Sequence, residues 1–501
     1  MTVEVSRDPR TGSLNGEVEA TPPDRVEAAL AAAGACAPTI ASRMPRERAR
    51  WLYAVADALE EPAVAEELVA IADRETGLGD ARLTGELARA AGQLRFYADV
   101  AVEASYLGVT IDHASDANPA LARAQIPLGP VAVFGASNFP FAFSVLGNDT
   151  ASALAAGCPV VVKGHPAHAQ LSTRLAEIAT AALERAGAPD GVFALVTGFD
   201  AGLALVRSPH TAAVAFTGSQ HAGLALWRLA NERDVVIPVF AEMGTVNPVV
   251  VTSAAADRIA EIATGFVGSF TAGTGQFCTK PGLLFAPSGS AAVLAVGAAL
   301  ESAAPCAWSL TEQIASSAAA GVSELVEAGA TIVTQVAGPD CGCSVASTVL
   351  SVPIGALRSG SRLLEECFGP VALVAEYDDE TELTTALSEL QGTLAASVMS
   401  AGPGDPDIAT LLTMLTPLAG RVAVDEWPTG VAYTWAQQHG GPWPATSVPA
   451  ATSVGAAALE RFTRPVTYQG APDAALPAPL QAANPWSVPR RVDGVLEEPQ
   501  A

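Results

Sequence analysis

The sequence contains no run of 18 or more apolar residues, so it offers no segment that crosses a bilayer as a helix. Its opening stretch, MTVEVSRDPRTGSLNGEVEATPPDR, is polar and lacks the apolar core of a secretory signal. These two absences lead to the expectation of a soluble, cytoplasmic protein with no membrane partner. Positive charge is also scarce: 27 Lys and Arg stand against 52 Asp and Glu, for a formal charge of −25. That balance argues against nucleic acid or an anionic membrane as partner, although a local basic pocket can still take a small anion. There is no CxxC among the seven cysteines and no HExxH among the six histidines. Cys341 and Cys343 have no histidine near them, and His165 and His168 lack a third ligand. Neither a disulfide framework nor a metal centre is expected.

What is present is a 501-residue chain, half of it apolar and only 16% charged, long enough for two or three domains around a large core. Residues 25 to 105 read as helices, with apolar residues at helical spacing in RERARWLYAVADALEE. From residue 129 the pattern changes. Short apolar runs (GPVAVFG, PVVVKGHP, GVFALVTG, AAVAFTG, VVIPVFAEMG) alternate with helical segments such as HAQLSTRLAEIATAALERAG. This alternation predicts βαβ units and a parallel sheet covered on both faces. A second α/β unit is predicted over about 245 to 455, and the Pro-rich tail from 471 reads as an extended surface arm.

Ligands of parallel sheets bind at the carboxyl ends of strands, where Asn138, Lys163, Gly218 and Glu242 fall. Each has two readings. Cys278, in TAGTGQFCTKPG, is a nucleophile whose own N–H can hold an oxyanion, or a small buried side chain. Asn138 in ASNFP is a second oxyanion donor or a turn residue. Glu242 is a buried carboxyl raised toward the range of a general base, or a surface-facing strand end. Lys163, read as lying at a sheet edge, docks a ribose or phosphate, or is a solvated lysine. FTGSQHAG is a turn opening a helix, whose free N–H groups suit a pyrophosphate.

Taken in order, ASNFP, VVVKGHP, AFTGS, AEMG, GQFC and EECFGP resemble the aldehyde dehydrogenase superfamily over about residues 30 to 490. The resemblance implies that Cys278 attacks an aldehyde to give a thiohemiacetal and then a thioester. Asn138 and the Cys278 N–H would hold the oxyanion, and Glu242 would activate water. It implies that Lys163 binds the adenosine ribose, Gly218 and Ser219 form the dinucleotide turn, and Glu366 and Phe368 hold the nicotinamide ribose and ring. The family often has Lys-Pro-Ser-Glu, whose glutamate clamps ribose hydroxyls. Here Gly164, His165 and Pro166 follow the lysine, so the cofactor is NADP or NAD with an inclination to NADP. Thr245 replaces a common second glycine and is expected to alter the wall near the cofactor.

The stretches FGASNFPFAFSVLGNDTASALAAGCPVVVKGHPAH, WPTGVAYTWAQQHGGPWPATS and TSVGAAALERFTRPVTYQ are similar to the α-ketoglutaric semialdehyde (2,5-dioxopentanoate) dehydrogenase branch. That similarity implies NAD(P)-dependent oxidation of the semialdehyde to 2-oxoglutarate. Arg89 is the candidate for its carboxylate, with Phe139, Phe143 and His439 as walls. The alternatives are an NADP-dependent dehydrogenase of another aliphatic aldehyde, or a catalytically silent member. The implied fold is α/β: two parallel-sheet domains plus a small oligomerisation element. A dinucleotide-binding domain would span 1–107 and 128–243, a catalytic domain 244–455, and an oligomerisation or bridging arm 108–127 and 456–501. A homodimer or homotetramer is expected.

Overall fold

The computed structural model describes residues 3–306 and 308–497; residues 1–2, Ala307 and 498–501, at the ends of or within the expected domains, lie outside the described residues. The chain opens with an antiparallel hairpin of β1 (Val3–Arg7) and β2 (Leu14–Glu19). The sequence does not announce it, because Val3, Val5 and Leu14 are exposed while polar Ser6 is buried. A lone two-stranded ribbon is marginal in water, and this one is laced to the body by Asn15 Nδ2 to Arg74 O (2.8 Å) and Thr197 Oγ1 to Glu19 O (2.8 Å).

The expected helices follow as α1 (Pro23–Ala41), α2 (Pro45–Glu60), α3 (Pro62–Thr76) and α4 (Asp80–Glu103). Proline at the first position of three of them supplies a φ already suited to a helix. Trp51, Leu52, Val55 and Leu59 of α2 share one core with Leu83, Leu87 and Leu94 of α4. Two short strands, β3 (Thr110–Asp112) and β4 (Leu121–Pro127), then lead into the first parallel sheet.

That sheet comprises β5 (Val131–Phe134), β6 (Val160–Lys163), β7 (Phe193–Val196), β8 (Ala213–Gly218) and β9 (Val239–Met243). The intervening helices are α5 (Asn148–Ala156), α6 (Ala169–Arg185), α7 (Phe199–Arg207) and α8 (Gln220–Asn231). Val160, Val161 and Val162 are fully buried, as a strand covered on both faces requires. The spatial order is β7-β6-β5-β8-β9, so the winding reverses between β5 and β8. This is the switch point beside which such sheets take ligands. Lys163 therefore does not lie at a sheet edge. It ends the interior strand β6, paired to Phe134 and Val196.

The second sheet has seven strands: β10 (Pro248–Val251), β11 (Leu283–Pro287), β12 (Thr331–Val336), β13 (Ser347–Ser351), β14 (Val371–Tyr377), β15 (Thr393–Met399) and β16 (Ala419–Val424). All pairings are parallel except β12 with β13. Cys278 sits between helix α9 (Ile259–Thr271) and β11. A third sheet joins β3 and β4 to β17 (Thr463–Gln469), β18 (Arg490–Val492) and β19 (Val495–Glu497). The tail thus carries two strands in addition to its extended Pro-rich part. No described helix is long and apolar enough to cross a membrane.

Candidate active site

The loop before Cys278 turns through three left-handed residues, Gly273 (φ 55°), Thr274 (φ 60°) and Gly275 (φ 66°). For β-branched Thr274 this costs about 1–2 kcal/mol, and its hydroxyl is held by the Trp308 carbonyl at 3.1 Å. Gly275 has a second reason to be glycine: a Cβ there would lie 2.1 Å from the Gly369 carbonyl of the EECFGP loop. Gln276 pins the turn by donating to Gly273 O and accepting from Leu310 N, both at 3.0 Å. Asn247 donates to the carbonyls of Cys278 (2.9 Å) and Lys280 (3.0 Å). Thr245, expected to alter the wall near the cofactor, lines a cavity beside Glu366 and also donates its hydroxyl to Asn247, bracing the same loop.

Glu242 ends β9, the outer strand of the first sheet, and the HGGPWPATS segment pairs along it through Met243 N to Ala445 O (2.8 Å). That pairing delivers His439. Its Nε2 lies 3.6 Å from Cys278 Sγ and 2.9 Å from Glu242 Oε1. The second of these is a close approach rather than an aligned hydrogen bond, since Oε1 has no hydrogen-bond partner. The other oxygen, Glu242 Oε2, accepts from the Ser453 hydroxyl. His439 and Glu242 are buried, and Cys278 is half-buried. His439, expected as a wall, thus stands beside Cys278 and Glu242. Sulfur, nitrogen and oxygen here lie within 4.8 Å of one another, a donor set that sequence spacing did not foreshadow.

Electrostatics divide these groups. Burial pushes the Cys278 thiol well above its ordinary range, and the charges of Glu242 and Glu366 push it further. Burial also pushes the Glu242 carboxyl up, but His439, the Ser453 hydroxyl and Cys278 more than offset that, leaving it below its usual value. The expectation of a raised carboxyl is corrected: Glu242 is buried among partners of its charged form. Asn138 is buried, and its amide donates to Gln276 O at 2.7 Å, which leaves its second amide hydrogen without a partner among the described residues.

Beyond Cys278, α4 presents Arg82, Glu86 and Arg89 at one-turn spacing. Glu86 Oε1 accepts from the backbone N–H of Phe141 (2.9 Å) and Ala142 (3.1 Å), fixing the ASNFPFA loop. Phe139 stands edge-on to Phe143 and Phe277, with centroids at 5.4 and 5.0 Å. The Arg82 guanidinium lies over Phe139 and Phe277 and donates to Asn138 O at 2.8 Å. Arg89 lies over Phe143 (5.8 Å) and Tyr433 (4.9 Å); its Nε and the Tyr433 hydroxyl are buried without hydrogen-bond partners.

On the far side of β9, the Glu366 carboxyl crowds Gly244, where a Cβ would sit 1.8 Å from Glu366 Oε2. Its Oε1 is buried and unpartnered, and burial raises its pKa to about 7 against the opposing pull of Lys280 and Arg362. Phe368 is half-buried two residues on. Ser219 caps α8 by accepting from Ala222 N (3.3 Å), and Gly218 O accepts from Gly244 N (3.1 Å). Lys163, at the end of β6, faces Glu4 of the hairpin, Nζ to Oε1 3.7 Å.

A family model described as "Aldehyde dehydrogenase family" matches residues 2–464. The chain belongs to that family. Alpha-ketoglutaric semialdehyde dehydrogenase 2 of Azospirillum brasilense is 44% identical over 461 residues, covering 90% of this chain and 87% of its own length. Alpha-ketoglutaric semialdehyde dehydrogenase of Acinetobacter baylyi is 39% identical over 464 residues, covering 90% and 88%. Among solved structures, a 3,6-anhydro-L-galactose dehydrogenase in complex with NADP superposes with a TM-score of 0.80 at 22% identity, over 93% of this chain and 96% of that one. The last match speaks for the fold alone.

As an aldehyde dehydrogenase this chain is an oxidoreductase of a family that uses NAD or NADP. Its residues fit such a dinucleotide: Glu366 Oε1 is a buried acceptor without a donor, and the amino end of α8 offers free N–H groups. The resemblance carried Cys278, Glu242, Asn138, Lys163 and the EECFGP pair. It did not carry Glu4, Ser453, Asn247, Arg82 or Tyr433. Ser453 and Tyr433 lie inside stretches quoted for the semialdehyde branch, the one sequence signal that pointed at them.

Proposed function

We propose that this aldehyde dehydrogenase oxidises α-ketoglutaric semialdehyde to 2-oxoglutarate. The observation that carries the chemistry is Cys278 Sγ at 3.6 Å from His439 Nε2, with Glu242 and Ser453 behind it. The raised thiol needs a base before it can attack. His439 stands nearest, and Glu242 faces the charge that would form on it. Addition of Cys278 to the aldehyde carbon gives a thiohemiacetal, whose oxyanion the Cys278 N–H and the free amide hydrogen of Asn138 stabilise. Lys163, Gly218, Ser219, Glu366 and Phe368 would hold the dinucleotide, which would supply the acceptor for the hydride. Glu242, ionised at neutral pH, then takes a proton from the water that hydrolyses the thioester.

The substrate's distal carboxylate is assigned to Arg89, whose Nε lacks a partner, with the Tyr433 hydroxyl beside it; Phe139 and Phe143 line the way. The two relatives, 44% and 39% identical, support this substrate over a neutral aliphatic aldehyde. The third sheet, whose outer strand exposes Val495 and Leu496, is assigned to homodimer or homotetramer assembly in a cytoplasmic setting. The test is reduced-nicotinamide formation with the semialdehyde beside neutral aldehydes of similar length. A higher kcat/KM for the semialdehyde is expected. Equal rates would discard the substrate, and no reduction with any aldehyde would favour a silent member.

A further inference from the structure

The inclination to NADP rested on the acid missing after Lys163, yet an acid does stand at that lysine, brought by another part of the chain. We propose that Glu4, on the N-terminal hairpin, accepts a hydroxyl of the adenosine ribose and repels a 2′-phosphate, so that the enzyme takes NAD in preference to NADP. This deepens the reading of Lys163 as a ribose contact and rests on it.

Four observations converge on Glu4. In β1 the exposed residues Val3, Val5 and Arg7 alternate with Glu4 and buried Ser6, so the strand's two-residue period turns Glu4 inward. The Glu4 and Lys163 side chains are only 10% and 14% exposed, with Oε1 3.7 Å from Nζ. Glu4 Oε1 also accepts the Gly198 N–H at 2.9 Å, at the turn from β7 into α7. Glu4 Oε2, by contrast, is buried and has no hydrogen-bond partner. A buried carboxylate oxygen left without a donor is costly, and a ligand hydroxyl at Lys163 would relieve it.

The surrounding charge disfavours a phosphate. Lys163 brings one positive charge, already faced by Glu4. His165 and His168, next along the chain, do not add to it: burial, together with the charge of nearby Lys163, lowers the pKa of both. Arg10, on the loop between β1 and β2, spends its guanidinium on Asp8 and Asp73. A 2′-phosphate would therefore bring its charge against a carboxylate in a poorly screened site. A ribose hydroxyl brings a donor instead.

The test is equilibrium binding of NAD and NADP, without aldehyde, to the full-length enzyme and to its Glu4→Gln, Glu4→Asp and Lys163→Ala variants. The wild type should bind NAD at least about tenfold more tightly than NADP, and Glu4→Gln should shrink that ratio by about tenfold, chiefly by tightening NADP. Glutamine keeps an acceptor for Gly198 and so keeps the hairpin docked; Glu4→Asp, which keeps the charge, should retain the preference. Wild-type preference for NADP, or equal loss of both dinucleotides in Glu4→Gln, overturns the proposal and leaves Glu4 a tether of the hairpin. If Lys163→Ala weakens neither dinucleotide, the cofactor reading of Lys163 itself fails, whatever Glu4 does.

Discussion

The two ends of the site treat their carboxylates differently. At the thiol end, Glu242 faces His439 on one oxygen and the Ser453 hydroxyl on the other, and lies below its usual pKa. At the proposed dinucleotide end, Glu366 Oε1 and Glu4 Oε2 are buried without a hydrogen-bond donor. Glu242 also keeps one oxygen without a hydrogen bond, but His439 Nε2 faces that oxygen at 2.9 Å, and its neighbours together favour the charged form. At Glu366 burial outweighs Lys280 and Arg362 and lifts the carboxyl to about 7; on the proposed reading, ribose hydroxyls would bring the donors that Glu366 and Glu4 lack.

The sharpest way to separate the ends is to remove the thiol. Cys278→Ala should reduce aldehyde turnover by at least about a thousandfold while the NAD dissociation constant stays within about twofold. Retained turnover in steady-state assays would sink the nucleophile assignment, and a large loss of dinucleotide affinity would show that the ends are not separable. Next in size is Arg89→Ala, expected to raise KM for the semialdehyde by about 10- to 100-fold with little change for a neutral aldehyde. Equal effects on both would move the carboxylate contact elsewhere, with Arg82→Ala as the paired comparison. The smallest effect is electrostatic. Glu242 raises the Cys278 pKa by its charge, so Glu242→Gln should shift the pH midpoint of iodoacetamide alkylation to lower pH. An upward shift or none would mean that Glu242 does not govern the thiol.

Much of this was legible in the residues. Strand runs such as PVVVK declare a sheet covered on both faces, and the six ordered motifs pointed to Cys278, Glu242 and Asn138 before any coordinates. Three things were not legible. The hairpin escaped because its pattern is inverted: Val3, Val5 and Leu14 are exposed while Glu4 and Ser6 turn inward. Glu4 therefore could not be connected to a lysine far along the chain. The direction of the Glu242 shift escaped because it depends on His439 and Ser453, which reach β9 only when the HGGPWPATS segment pairs along its free edge. Lys163 was placed at an edge because local sequence does not reveal that β7 pairs along the side of β6 away from β5.

Gly275 rests against the carbonyl of Gly369, so the backbone carrying Cys278 and the backbone carrying Glu366 and Phe368 are in close contact. Any coupling between their occupancies must run both ways. Whatever factor a bound dinucleotide applies to the equilibrium reversible modification of Cys278, that modification must apply the same factor to dinucleotide affinity. Each end of the site serves as a gauge of the other.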